Sequence, residues 1–301
     1  MTAIADARTK GPLVWGDMDQ QALDAAYDQA CWAPNQQILA DRRQSLSAEA
    51  RGLIPPPQRV AYGSAEIEKI DIYKADVANA PVAIFVHGGA WRRGRAADFA
   101  ALAETFTRAG AHLAVLDFDN IDEHHGDLLA MAEQVRRAVA WVGKNAASFG
   151  GDPDHIYLTG HSSGAHLGGC MLTTDWNRFG LPQTFIKGAL LCSGMYELAP
   201  VRLSKRSEYV KFTDATENEL SAMRHLDRLS CPVILVYGTN ESPEFIRQTK
   251  EFAAAVKATG KPVELIVAPH YNHFEIAETL GNPYGVLGRA ALRLMGLGPS
   301  A

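Results

Sequence analysis

Gly160-His161-Ser162-Ser163-Gly164 sets a serine midway between two glycines. A serine hydroxyl is presented as a covalent nucleophile when a tight strand-to-helix turn lifts it clear of a sheet, and small flanking residues let the backbone take that turn without a Cβ clash. The bare pattern turns up by chance in roughly one chain of this length in ten. Its weight comes from placement: HIYLTG before Ser162 reads as a strand, and the Ala- and Leu-containing stretch after it as a helix. A second element, His87-Gly88-Gly89-Ala90-Trp91, closes the strand-like run PVAIFV. Attack on a carbonyl carbon leaves negative charge on its oxygen, and glycine-rich backbone lets N–H groups converge there, each worth about 10²- to 10³-fold in rate. Alone, these five residues read as a glycine turn. Upstream of G-x-S-x-G they read as an oxyanion hole, with donors on Gly88, Gly89 and Ala90 and a further one on Ser163.

Ser162 also needs a base to take its proton and a carboxylate to orient that base. In the chain order serine, acid, histidine, each partner follows a late strand. After PVILVY, Glu241 is the first acidic residue and is the expected acid; Ser242-Pro243 reads as an N-cap and first helical position, and Glu244, the alternative acid, reads rather as a first-turn charge serving that helix. After VELIVA come His270 and His273, of which His273, deeper in its loop, is the expected base. His161 and His166 flank the serine turn and His124-His125 lies in a polar loop, with no metal-ligand spacing among them. Neither a metal nor a cofactor is called for.

The elements that must position these residues follow from the apolar pattern. PVAIFV (81–86), HLAVLDF (112–118), HIYLTG (155–160), KGALLCS (187–193), PVILVY (232–237) and VELIVA (263–268) are continuous runs bounded by Gly, Pro or Asp, as suits strands buried on both faces of a mainly parallel sheet. Leu128, Met131, Val135, Val139 and Val142 recur at helical spacing, and alternation of strand and helix gives an α/β fold with helices on both faces. Residues 58–62 and 67–73 suggest an antiparallel edge. Pro55-Pro56-Pro57 sets off an N-terminal segment, 1–57, helical over 18–51, with Trp15 and Trp32 to bury; it is expected to pack on the core or cap the site. The α/β domain would span 58–301, with a cap-like insertion around 194–225.

The chain has 301 residues, 47% hydrophobic and 21% charged, enough for a sizeable core without disordered tracts. A formal charge of -5 offers no basic footprint for nucleic acid and no cationic face for a membrane, leaving a small molecule as the expected partner. Cys31, Cys170, Cys192 and Cys231 show no paired spacing and read as free thiols. The opening MTAIADARTK lacks a secretory apolar region and no run reaches membrane-spanning length, so a cytoplasmic protein is expected.

Together these residues resemble the kynurenine formamidase (arylformamidase) branch of the α/β-hydrolases, near the hormone-sensitive-lipase-like carboxylesterases. The resemblance runs from Tyr27-Asp28-Gln29 to Asn272-His273-Phe274, through H-G-G-x-W at 87–91, FGGDP at 149–153, GHSSGAHL at 160–167, Ser193-Gly194-Met195-Tyr196 and Ser242-Pro243-Glu244-Phe245. It implies a Ser162-Glu241-His273 triad, and related enzymes often form homodimers. Two positions depart from the family pattern: the acid, commonly Asp, is Glu241, and Asp117-Phe118-Asp119-Asn120 replaces a Tyr-x-Leu-x-Pro run beside the pocket.

The expected activity is hydrolysis of a small ester or amide, as an arylformamidase or as a carboxylesterase or aryl-amide hydrolase without formyl preference. A non-catalytic binding protein on the same shell and acyl transfer to an alcohol or amine are the competing readings. Trp91, Met195, Tyr196 and Tyr271 are candidates to shape an aromatic pocket, or else core. Arg92, Arg93 and Arg95 are candidates to draw in a carboxylate, or else a solvated basic loop.

Overall fold

A strand covered on both faces has no polar side to show, and five of the six continuous apolar runs accordingly become the interior of one sheet, whereas VELIVA (263–268), expected to be buried on both faces, forms its edge, with Leu265 and Val267 exposed. The computed structural model describes residues 11–298, so the opening MTAIADARTK lies outside the described residues. A short hairpin of β1 (Leu13–Trp15) and β2 (Met18–Asp19) precedes β3 (Gln58–Ala61), β4 (Lys69–Tyr73), β5 (Ala80–Val86), β6 (His112–Leu116), β7 (Gly151–His161), β8 (Ile186–Cys192), β9 (Val233–Gly238) and β10 (Val263–Ala268). The last eight form one sheet in the order β10-β9-β8-β7-β5-β6-β4-β3. From β10 to β6 neighbours run parallel, while β4 pairs antiparallel with both β6 and β3, giving the expected antiparallel edge. Chain order reverses at β5, whose successors β6 and β7 lie on its two sides. That opens a crevice at the carboxyl ends of β5 and β7, where α/β folds place their ligands.

The helices are α1 (Gln20–Ala26), α2 (Gln36–Leu53), α3 (Ala103–Arg108), α4 (Leu128–Asn145), α5 (Ser163–Leu172), α6 (Ala199–Leu203), α7 (Asp214–Leu220), α8 (Pro243–Ala258), α9 (Glu275–Glu278) and α10 (Val286–Leu294). Leu128, Met131, Val135, Val139 and Val142 of α4 are all fully buried, as their spacing predicts. Each such side chain contributes about 1.5–3 kcal/mol. Asp127 caps α4 by accepting from the N–H groups of Leu129 and Ala130. Two apolar clusters cover the sheet's two faces. One gathers α4, α5 and α8; the other gathers residues 96–106 and α10.

The N-terminal segment differs from the single helical stretch expected over 18–51: a hairpin, α1, a 3-10 turn at Gln29–Cys31 and α2 follow one another. Leu23 and Tyr27 enter the core, whereas Trp32 stays 38% exposed and donates its indole N–H to the Ala25 oxygen. The segment is tied to both loops at the carboxyl edge of the sheet. Ser242 Oγ donates to the Ala26 oxygen at 2.6 Å, and Asn272 Nδ2 donates to Asn35 Oδ1 at 2.8 Å. Residues 194–225, after β8, hold α6, α7 and 3-10 turns. Cys170, Cys192 and Cys231 are buried free thiols, with the thiol pKa of each raised by burial, and Cys31 is free and exposed. Among the described residues, no helix is long and apolar enough to cross a membrane.

Candidate active site

Register brings the chemistry to one edge. Val86 pairs with Gly160, His161 with Cys192, and Gly238 with Ala268, so the loops after β5, β7, β8, β9 and β10 leave the sheet side by side. Ser162 occupies the single residue between β7 and α5 at φ 57°, ψ −125°, a conformation costly to a non-glycine residue, held by its surroundings. Its N–H donates to the Cys192 oxygen at 2.9 Å and its oxygen accepts from His166 N–H at 3.0 Å. Both glycines of the motif are required by close backbone approach. A Cβ on Gly164 would stand 2.1 Å from the Val86 oxygen, and one on Gly160 would stand 2.6 Å from the Gly164 oxygen.

From this turn a continuous hydrogen-bonded chain runs inward. Ser162 Oγ lies 2.8 Å from His273 Nε2, and His273 Nδ1 lies 2.7 Å from Glu241 Oε2. Because the carboxylate only accepts, Nδ1 carries the ring proton and Nε2 is free to accept from the serine. The other carboxylate oxygen of Glu241 accepts from Ser193 Oγ at 2.5 Å and from Gly238 N–H at 2.7 Å. The group is 3% exposed, so nearly every lone pair is met by protein. Ser193, itself at φ 55°, was not singled out as a site residue; its place directly after the β8 run was the available signal.

Glu244 and His270 stand apart. Glu244 lies in the first turn of α8, as expected, and is also fixed by a two-pronged ion pair with Arg247, at 2.6 and 2.7 Å, and accepts from Tyr27 Oη at 2.8 Å. Burial and that carboxylate hold the Tyr27 phenol well above its ordinary pKa. His270 is exposed and meets Asn240 Nδ2 only through its own main-chain oxygen. Ser242 takes the N-cap position of α8, but its hydroxyl turns to Ala26.

The loop 87–91 packs against the serine turn. A Cβ on Gly88 would meet the His161 oxygen at 2.7 Å and Ser162 Cβ at 3.2 Å. Gly89, Ala90 and Trp91 all have positive φ, of 123°, 55° and 63°. Successive turns of this kind present backbone N–H groups to one concavity. Among the described residues, the N–H groups of Gly88, Gly89 and Ala90 meet no acceptor, while Trp91 N–H donates to Ser163 Oγ at 3.2 Å. Ser163, first residue of α5, adds a helix-terminal N–H.

Three buried histidines support this geometry in the neutral form. His87 stacks between Phe99 and Phe118, and burial lowers its pKa to about 4. His166 accepts the Trp91 indole N–H at 3.2 Å and donates to the Leu220 oxygen at 3.1 Å; burial lowers it to about 4 as well. His161 is held well below its ordinary value by burial and then by repulsion from His273.

The four pocket candidates divide. Trp91, Met195 and Tyr196 are at most 2% exposed and belong to the core cluster, Tyr196 stacked on Phe252 with ring centroids 4.1 Å apart. Tyr271 alone borders an open depression of about 610 Å3 that also includes Arg42, His270 and Glu275 but neither Ser162 nor His273. Arg92 pairs with Asp122 and Arg95 with Glu123, while Arg93 is exposed, so this loop is largely internally paired. Among the described residues, no cluster of three His, Cys, Asp or Glu is placed to hold a metal ion.

Comparison with known proteins adds an independent line. A family model described as BD-FAE matches residues 70–184. Kynurenine formamidase of Danio rerio is 30% identical over 295 residues, 94% of this chain and 98% of that protein. A provisional thioesterase of Silicibacter sp. TM1040 superposes with a TM-score of 0.77 at 22% identity, covering 89% of this chain and 97% of its own. Esterase 2 of Thermogutta terrifontis, solved as the form phosphoramylated by tabun, superposes with a TM-score of 0.67 at 22% identity, covering 82% of this chain and 98% of its own. The architecture is therefore that of the α/β-hydrolase esterases.

Proposed function

We propose that this chain, which belongs to the kynurenine formamidase family, is a serine hydrolase that cleaves a small amide or ester through an acyl-enzyme on Ser162. His273 Nε2 takes the hydroxyl proton as Ser162 Oγ bonds to the substrate carbonyl carbon, and the carbonyl π electrons move onto oxygen. N–H groups of Gly88, Gly89, Ala90 and Ser163 hold that oxyanion. His273 then returns the proton to the leaving nitrogen or oxygen as the bond to carbon breaks. In the second half a water gives its proton to His273 and its oxygen to the acyl carbon, and Ser162 leaves with the proton restored. Glu241 keeps His273 in the Nδ1–H tautomer and balances the imidazolium formed in each half.

The observation that carries this reading is the unbroken Ser162-His273-Glu241 chain, at 2.8 and 2.7 Å, starting on a strained turn. The apposed loop 87–91 supports it, and so do His87, His161 and His166, which burial holds in the neutral form. We assign residues 194–225 and the N-terminal segment to the roof of the site, since both meet over the carboxyl ends of the strands. Arg206 Nη2, for example, donates to the Tyr27 oxygen at 3.1 Å.

Within the family the leading substrate is an aryl formamide. A panel of N-formyl-L-kynurenine, other formanilides, short p-nitrophenyl esters and aryl amides tests it. Formamidase activity predicts the highest kcat/KM on formyl substrates. Rates on them no better than on acetyl esters would leave a general esterase instead.

A further inference from the structure

Ala90 and Trp91, at the end of the loop assigned to the oxyanion, hold positive φ of 55° and 63° in succession. Such backbone is unfavourable for a residue with a Cβ and persists only where its surroundings over-determine it. Two supports do so. His87 fixes the start of the loop by stacking between Phe99 and Phe118. Helix α5 fixes its end, where Trp91 is bonded twice: the main-chain N–H donates to Ser163 Oγ and the indole Nε1–H to His166 Nδ1, each at 3.2 Å. Trp91 is 2% exposed and His166 fully buried, so an indole N–H deprived of that acceptor has no water to turn to.

His166 also holds the serine turn. Its main-chain N–H donates to the Ser162 oxygen at 3.0 Å, so Ser162 and the loop opposite it hang on one residue, the first through its backbone and the second through its side chain. The other ring nitrogen faces away. Nε2–H donates at 3.1 Å to the oxygen of Leu220, the last residue of α7, which also accepts from Cys170 Sγ at 3.4 Å. That bond fixes the tautomer and leaves the Nδ1 lone pair for Trp91. The two nitrogens therefore have separable duties, Nδ1 toward the oxyanion loop and Nε2 toward the segment after β8.

We propose that His166 is the positioning residue of the oxyanion loop: its Nδ1 lone pair, by taking the Trp91 indole N–H, keeps the strained backbone of Ala90 and Trp91 in the form that gathers the N–H groups of Gly88, Gly89 and Ala90. The inference rests on the serine-hydrolase reading above and adds to it the group that holds the oxyanion donors in place.

The test isolates the Nδ1 bond. In His166→Asn the amide oxygen takes the place of Nδ1 and accepts from the indole, whereas His166→Leu offers no acceptor; Trp91→Phe removes the donor and keeps a ring. Each variant, checked for folding by near-UV circular dichroism, is assayed on one p-nitrophenyl ester. Each is also titrated with an aryl trifluoromethyl ketone, which adds to a reactive serine as an oxyanion-bearing hemiketal. His166→Leu is expected to lower kcat about 10²-fold and to weaken the ketone by a similar factor, with KM within about threefold, the scale of one lost oxyanion donor. His166→Asn should recover about tenfold of that loss, and adding Trp91→Phe to His166→Leu should cost less than about twofold more, since both remove the same bond. A folded His166→Leu with wild-type kcat, a His166→Asn no better than His166→Leu, or additive losses in the double variant each overturns the proposal. Should His166→Leu fail to fold, Trp91→Phe takes its place in the kinetic comparison. Hydrogen exchange at the Trp91 indole N–H, followed by NMR on tryptophan-labelled protein, reads the contact without turnover. Protection in wild type and His166→Asn, lost in His166→Leu, is expected, and equal protection in all three overturns the proposal. If that pattern is seen while the wild type neither cleaves the ester nor binds the ketone, the hydrolase reading fails and the His166 pin stands as the support of the loop.

Discussion

His161 donates its Nε2–H to the main-chain oxygen of His273 at 2.8 Å, with the two rings 4.5 Å apart. The residue before Ser162 thus props the loop that carries His273, so the two ends of the proposed proton path are set by one contact. Burial and repulsion from His273 keep His161 neutral. His161→Leu is expected to lower kcat about 10-fold with KM within about threefold, since positioning and not binding is disturbed. Steady-state kinetics on one p-nitrophenyl ester give both numbers, and an unchanged kcat would remove His161 from the account.

The two neighbouring glutamates are predicted to separate cleanly. Glu241→Gln removes the charge that fixes the His273 tautomer and is expected to lower kcat by about 10² to 10⁴-fold with the fold intact. Glu244→Gln breaks the buried pair with Arg247 and should cost stability, about 3 kcal/mol, while kcat stays within about threefold. Kinetics paired with urea unfolding read both. A larger kcat loss in Glu244→Gln than in Glu241→Gln would reverse the assignment.

Gly88→Ala tests the loop against the serine turn. The new Cβ would need to move from 2.7 Å off the His161 oxygen, so the loop must shift and its N–H groups with it. We expect kcat to fall about 10²-fold or more, the scale of one lost oxyanion donor, with little change in KM. Activity within threefold of wild type would place the donors elsewhere.

Much of this arrangement was legible in the chain because strong local rules govern it. All six apolar runs become strands, five of them covered on both faces and VELIVA at the sheet edge, and Gly160 and Gly164 mark a turn with no room for a side chain. Glu241 stood out as the first acid after its strand, and it lies against His273. What escaped depends on long-range contact. Ser193 meets Glu241 across 48 residues, Arg206 holds Tyr27 across 179, and no local spacing announces either. Trp32 misled because bulk alone does not say which face a short helix turns inward, and Tyr196 because aromatic character suits a core stack as well as a pocket.

Stability should fall between pH 6.5 and 4 through the neutral histidines. His87 and His166 titrate near 4 when folded, against an ordinary value of 6.5, so across this window the unfolded chain binds protons that the native state refuses. Each histidine then costs about 1.4 kcal/mol per pH unit; above 6.5 neither form is charged and the effect vanishes. His161 acts in the same direction. Urea midpoints measured every half pH unit should be level from 8 to 7 and drop steadily from 6.5 to 4.5. A level profile down to 4.5 would contradict neutral burial of these rings.

The central claim is that Ser162 is an activated nucleophile. A fluorophosphonate probe followed by peptide mass spectrometry tests it directly on wild type, Ser162→Ala and His273→Ala. The account predicts labelling of wild type on the Ser162 peptide, none of Ser162→Ala, and labelling of His273→Ala slowed at least about 10³-fold. Folded wild-type protein that stays unlabelled at Ser162 would contradict it.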